Sequence, residues 1–141
     1  ENYEIEAAFP VIELHNFIFR SDKKTLSELI ANNGINAGIV LPETIWQEST
    51  KYIKDSGVLT LSINGSDIGT TGLWPNDDGP EASVTWLKNN LEDCGIKLKP
   101  GSIVLAGTGL GLYSVKSGDE VSVHIDRQPL VSCTIKNSRT L

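Results

Sequence analysis

The sequence predicts a small α+β domain, rich in β-strand, and three observations carry that class. Residues 59–63, 121–125 and 131–135 alternate apolar and polar side chains, as half-buried strands do. Residues 25–32 and 80–93 place apolar residues three and four apart, which is the period of a helix face. The two helical stretches do not alternate with strands one for one, so the pattern is not a βαβ series. The 141 residues suit one domain, taken as residues 1–141.

Taken in order, residues 3–14 read as a strand. Pro10 interrupts it, because proline has no N–H to give to a ladder. The helix at 25–32 has Thr25 or Ser21 as its cap, and Leu26, Leu29 and Ile30 fall on one face. Asn32-Asn33-Gly34 ends it, with Gly34 suited to a left-handed stop. Residues 37–41 are a short apolar run that predicts a buried strand. After the strand at 59–63, Asn64-Gly65 is a strong hairpin signal, and residues 66–70 form the return strand. Residues 71–79 are rich in glycine, proline and aspartate and predict a loop.

The helix at 80–93 has Asp78 as its cap, Pro80 in its first turn and Val84, Leu87 and Leu91 as its apolar stripe, with Trp86 on one flank. Gly95 stops it. Pro100-Gly101 turns the chain, and residues 103–106 predict a second buried strand. Turns at 117–119 and 126–128 separate the last strands, and residues 137–141 form a fraying tail.

Bulk properties exclude some classes of function. Hydrophobic residues make up 39% of the chain and charged residues 21%, a globular balance. The net charge of −6 argues against a nucleic-acid backbone as partner, which requires clustered Lys and Arg. No apolar run approaches the roughly 18 residues that span a bilayer, so no membrane partner is expected. The chain opens on acidic and polar residues rather than a signal peptide, which points to the cytoplasm. It does not open on Met, which suggests processing, trimming or a fragment. Cys94 and Cys133 have no metal-ligand or redox spacing, and two unpaired thiols are the plain reading. Gly107-x-Gly109-x-Gly111 opens no helix with an acidic residue behind it and is not a dinucleotide fingerprint.

The ordered string Pro80, Ser83, Val84, Trp86, Leu87, Gly95, Leu98, Gly101 and Gly107-Thr108 carries further information. It continues with Val115, Gly118-Asp119 and Val121. Upstream stand Ala8-x-Pro10-x-Ile12-Glu13 and Ile30-Ala31-Asn32-Asn33. Together these resemble the C-terminal part of the fumarylacetoacetate hydrolase superfamily, over most of residues 5–136. The tryptophan-bearing helix, and Gly107-Thr108-Gly109 in place of a Gly-Thr-Pro loop, favour its branch of 2-hydroxypenta-2,4-dienoate hydratases and 4-oxalocrotonate decarboxylases.

The resemblance implies a β-roll or distorted barrel of mixed strands with peripheral helices. It implies a lyase that binds Mg²⁺ or Mn²⁺ through carboxylates and acts on a small 2-oxo acid, which chelates the metal. Hard cations of this kind take oxygen ligands, and as Lewis acids they stabilise an enolate. It further implies an oligomer, or a second chain that completes the metal site.

Glu13 is the position the resemblance carries over as a metal ligand; without the resemblance it reads as a solvated strand residue. The family's other two ligands form a Glu-x-Glu pair well upstream, and the chain is therefore expected to lack an N-terminal portion of the domain. Glu4-Ile5-Glu6 has the right spelling but lies too close to Glu13, so Glu4 and Glu6 read as solvated. Leu14-His15-Asn16-Phe17 departs from the family's Val-Asp-Ser-Arg segment, and Gly34 or Ile35 stands where a substrate-touching serine is expected. The catalytic Lys and Asp belong to the upstream portion, so no catalytic residue is assigned.

Asn33, Gly107 and Thr108 remain as substrate-binding candidates. Thr108 offers a hydroxyl to a substrate carboxylate, or serves ordinary turn chemistry. His15 shares a strand face with Glu13 but is a poor ligand for Mg²⁺. His124 receives no role. Trp74-Pro75 reads as a packed loop anchor, and Asp77-Asp78 as helix-start chemistry. The competing reading is a non-catalytic binding or assembly subunit that keeps the fold with an incomplete metal site.

Overall fold

The computed structural model describes residues 4–17, 19, 25–43, 49–53 and 56–137. Along them run β1 (Ile12–His15), α1 (Leu26–Ala31), β2 (Asn36–Val40), β3 (Val58–Ile63), β4 (Ser66–Gly72), α2 (Gly79–Asp93), β5 (Glu120–Ile125) and β6 (Gln128–Thr134), with 3-10 turns at Asn33–Ile35 and Ser49–Ile53. β1 and β2 form one antiparallel pair. The other four strands form an antiparallel sheet in the order β4-β3-β5-β6. Among the described residues the result is a β-rich α+β fold with two antiparallel sheets and two α-helices.

Alternation along β3, β5 and β6 explains the core. Leu59, Leu61 and Ile63 lie opposite Ile125, Val123 and Val121, and Val123 lies opposite Val131. Their side chains share one face of the sheet, as a period of two demands. Ile12, Leu14 and Val40 of the small sheet close over that face. A second cluster joins Ile125 to Ala8, Tyr52 and Trp74 at the sheet's end. Burying each such side chain contributes about 1.5–3 kcal/mol. The opposite face carries the alternate set, with Thr60 opposite His124 and Ser122 opposite both Ser62 and Ser132.

Both hairpins of the large sheet close with two residues of positive φ: Asn64 (52°) and Gly65 (76°), then Asp126 (49°) and Arg127 (70°). This mirror-image turn matches the right-handed twist of the strands. The first hairpin is tied to the turn before β5. Asn64 Nδ2 donates to Asp119 Oδ1 at 3.0 Å, and Glu120 N donates back to Asn64 Oδ1 at 2.9 Å. Lys116 N donates to the other Asp119 oxygen at 2.8 Å. The Asn64 amide first, and then the Lys116 N–H, hold the Asp119 carboxyl below the usual aspartate range, and the charge of Lys116 adds to this.

The helices obey their local signals more than their burial signals. Thr25 caps α1 in a full capping box with Glu28. The alternative cap, Ser21, lies outside the described residues. The apolar face of α1 is not buried, however: Leu26 is 73% exposed and Ile30 is 70% exposed. In α2, Pro80 sits in the first turn and is buried, and Gly95 ends the helix at a φ of 71°. Val84, Leu87 and Leu91 are half-buried while Trp86 is exposed. Asp78 occupies the cap position without making a side-chain cap hydrogen bond.

Two strand expectations are corrected. The strand expected over residues 3–14 is confined to Ile12–His15 among the described residues. Pro10 cannot donate, and residues 4–8 make no backbone–backbone hydrogen bond among the described residues. The strand expected at 103–106 is absent, and Ile103 there is 52% exposed. An apolar run becomes a strand only where another strand supplies hydrogen bonds, and residues 103–115 have none among the described residues. The run at 37–41 is a strand over Asn36–Val40, but it is half-buried rather than buried. Of the tail expected to fray, residues 138–141 lie outside the described residues.

Candidate functional site

The apolar face of the large sheet is only partly covered. Between it and the extended segments 4–15 and 98–115 lies a cavity of about 1030 Å³. Its floor is Leu59, Leu61, Val121 and Val123, and α2 contributes Pro80 and Val84 to its rim. Its size places it at the upper end of ligand pockets.

Three of the four sequence-predicted site residues border this cavity: Glu13, Gly107 and Thr108. Asn33 does not. It lies exposed in the turn after α1, at a φ of 52°, and is not part of the cavity lining. The 3-10 turn at Asn33–Ile35 leads the chain from α1 into β2.

Glu13 is held by its neighbours in the small sheet. Asn36 Nδ2 donates to Glu13 Oε1 at 2.6 Å. His15 Nε2 stands 3.5 Å from the same oxygen, an ion pair when the imidazole is protonated. Glu13 and His15 therefore share a strand face, as their spacing predicts. Asn36 was not evident from sequence, because its place opposite His15 depends on the register of β1 against β2.

On the far wall, Thr108 Oγ1 accepts from Leu110 N at 3.1 Å. That is turn chemistry, and it leaves the hydroxyl proton available to a ligand. Gly107 precedes it with a φ of 82°. Two residues later the loop runs against β4, where any Cβ on Gly109 would collide with the Thr71 side chain. This close approach accounts for a glycine in the Gly107-x-Gly109 pattern.

A divalent hard cation needs several oxygen ligands in one place. Among the described residues no group of three or more His, Cys, Asp or Glu is arranged to hold a metal ion. Glu4 and Glu6 border the same cavity but are exposed and join no such group. The described donor set of this chain, one carboxylate already engaged by Asn36, does not by itself fit Mg²⁺ or Mn²⁺.

The remaining candidates have structural partners. Trp74 Nε1 donates to Tyr52 O at 2.9 Å and packs in the second core cluster, so it anchors its loop. His124 Nε2 lies 2.9 Å from Ser122 Oγ on the polar face of the sheet, away from the cavity. Cys94 and Cys133 are both free thiols, and burial pushes the Cys133 thiol up. No helix among the described residues is long and apolar enough to cross a membrane. No protein-family model matches the chain, and no curated protein matches it.

Proposed function

We propose that this chain is a metal-dependent lyase of the fumarylacetoacetate hydrolase superfamily, or the C-terminal portion of one. The reaction would be hydration or decarboxylation of a small 2-oxo or 2-hydroxydienoic acid in the cytoplasm. The observation that carries this reading is that Glu13 and Gly107-Thr108, far apart in the sequence, both border one apolar-floored cavity. In this reading the two sheets and their covering segments belong to a β-roll of the family's type. The Thr108 hydroxyl donates to the substrate carboxylate, and the apolar floor takes the carbon chain and excludes water. Glu13 offers one carboxylate to the metal. The other ligands come from outside the described residues or from a second chain, and no metal-borne step is assigned to the residues described.

The second reading, a non-catalytic binding subunit, is favoured by one specific observation. Asn36 already occupies a Glu13 oxygen, and no three-donor cluster accompanies it among the described residues. Calorimetry with Mg²⁺ and Mn²⁺ separates the two readings, with intact-mass analysis of the same sample to show which chains are present. Micromolar metal binding that is abolished in Glu13→Ala supports the lyase. Binding of a 2-oxo acid without metal, weakened in Thr108→Val, supports the binding subunit. Absence of both refutes the shared premise that the cavity is a small-acid site.

A further inference from the structure

The cavity is far larger than a short acid requires. It holds about 1030 Å³. A water molecule takes about 30 Å³ of the liquid, and at that share an acid of about eight to eleven non-hydrogen atoms fills roughly a quarter to a third of the space. Glu13 and Thr108 occupy only part of the border. Among the described residues its charged side chains and histidines are Glu4, Glu6, Glu13, His15 and Lys99. Most of the remaining border is hydrocarbon. On the wall that carries Thr108, the side chains of Ile103, Leu105, Leu112 and Val115 border the cavity and are exposed. Large apolar side chains that stay exposed around one concavity mark a surface that a ligand covers.

We infer, resting on the small-acid reading of the same cavity, that its acid carries an extended apolar tail, alkyl or aryl, of about eight to ten carbons behind the 2-oxo acid head. The head is bound as that reading has it, with the Thr108 hydroxyl donating to the carboxylate. The tail lies on the floor of Leu59, Leu61, Val121 and Val123 and against Ile103 and Leu112. A short acid leaves most of this surface wet, whereas each methylene of a long one is moved out of water. Chain length therefore sets the preference of the site, and the head alone does not.

Calorimetric titration with 2-oxopentanoate, 2-oxooctanoate and 2-oxododecanoate tests it, with and without Mg²⁺. The Kd is expected to fall about twofold to fourfold for each added methylene, the range from half to full burial. The variant Ile103→Gln with Leu112→Gln is expected to lose about fivefold to tenfold more affinity for the twelve-carbon acid than for the five-carbon acid. Both residues are exposed, and circular dichroism confirms that the variant folds. Should it unfold, Leu112→Ala takes its place, with an expected differential loss of about threefold.

A Kd that does not fall with chain length overturns the tail and leaves the small-acid reading standing. Failure of all three acids to bind refutes that reading, and the tail falls with it. A gain with length that the variant leaves undiminished also overturns the tail, because the chain then binds away from Ile103 and Leu112.

Discussion

Ile125 and Ile103 both sit in stretches that the sequence reads as strand, and the same substitution at both measures what the fold did with them. Ile125 is 4% exposed, between the Tyr52 cluster and Leu59 of the neighbouring strand. Ile125→Ala removes three buried carbons at about 0.8 kcal/mol each and leaves a cavity behind, for a loss of about 3 kcal/mol. Ile103 is 52% exposed, so the same change removes about half as much buried area in a segment free to close over the gap. Its cost is at most about 1 kcal/mol. Unfolding entropy near 2.1 cal/mol/K per residue gives about 0.3 kcal/mol/K for a chain of this length. The expected falls in Tm are therefore about 10 °C for Ile125→Ala and about 3 °C or less for Ile103→Ala. Both are measured by thermal circular dichroism. Equal falls, or a larger one for Ile103→Ala, would refute the reasoning and restore residues 103–106 as a buried strand.

Further tests follow from the hydrogen bonds and close contacts. Asp119 has its folded pKa lowered, so its contribution to stability is complete above about pH 4 and is lost as pH falls through the lowered value. Asp119→Asn should flatten that acid limb in urea midpoints measured against pH. Glu28 is held low first by the Thr25 backbone N–H and then by the Thr25 hydroxyl, so Thr25→Ala should raise its pKa in an NMR titration. The same variant should speed exchange of the Glu28 amide, which Thr25 Oγ1 accepts at 3.2 Å, while global Tm barely moves because α1 buries no residue. Gly109→Ala should destabilise the fold by forcing the loop off β4. Thr71→Ala in the same chain should recover part of the loss, and no recovery would place the strain elsewhere.

The sequence by itself determined the parts governed by near neighbours. Asn64-Gly65 made a hairpin, the alternation at 59–63, 121–125 and 131–135 made β3, β5 and β6, and the capping box at Thr25 and the Gly95 stop bounded helices. Each rests on backbone preferences or periodicities that act within a few residues. The tertiary structure alone decided what became of residues 4–11 and 103–106. Hydrophobicity makes a run eligible for a strand, but a strand also needs a partner, and partners are set by register across the whole chain. It likewise decided that the helix face of Leu26 and Ile30 stays exposed. The candidate site divides in the same way. Glu13 and His15 share a face because strands have a period of two, which is legible locally. That Asn36 grips Glu13, that Asn64 and Asp119 tie a hairpin to a distant turn, and that Thr108 borders the cavity of Glu13 while Asn33 does not, are contacts between residues far apart in the chain. They exist only once the sheets have paired and packed.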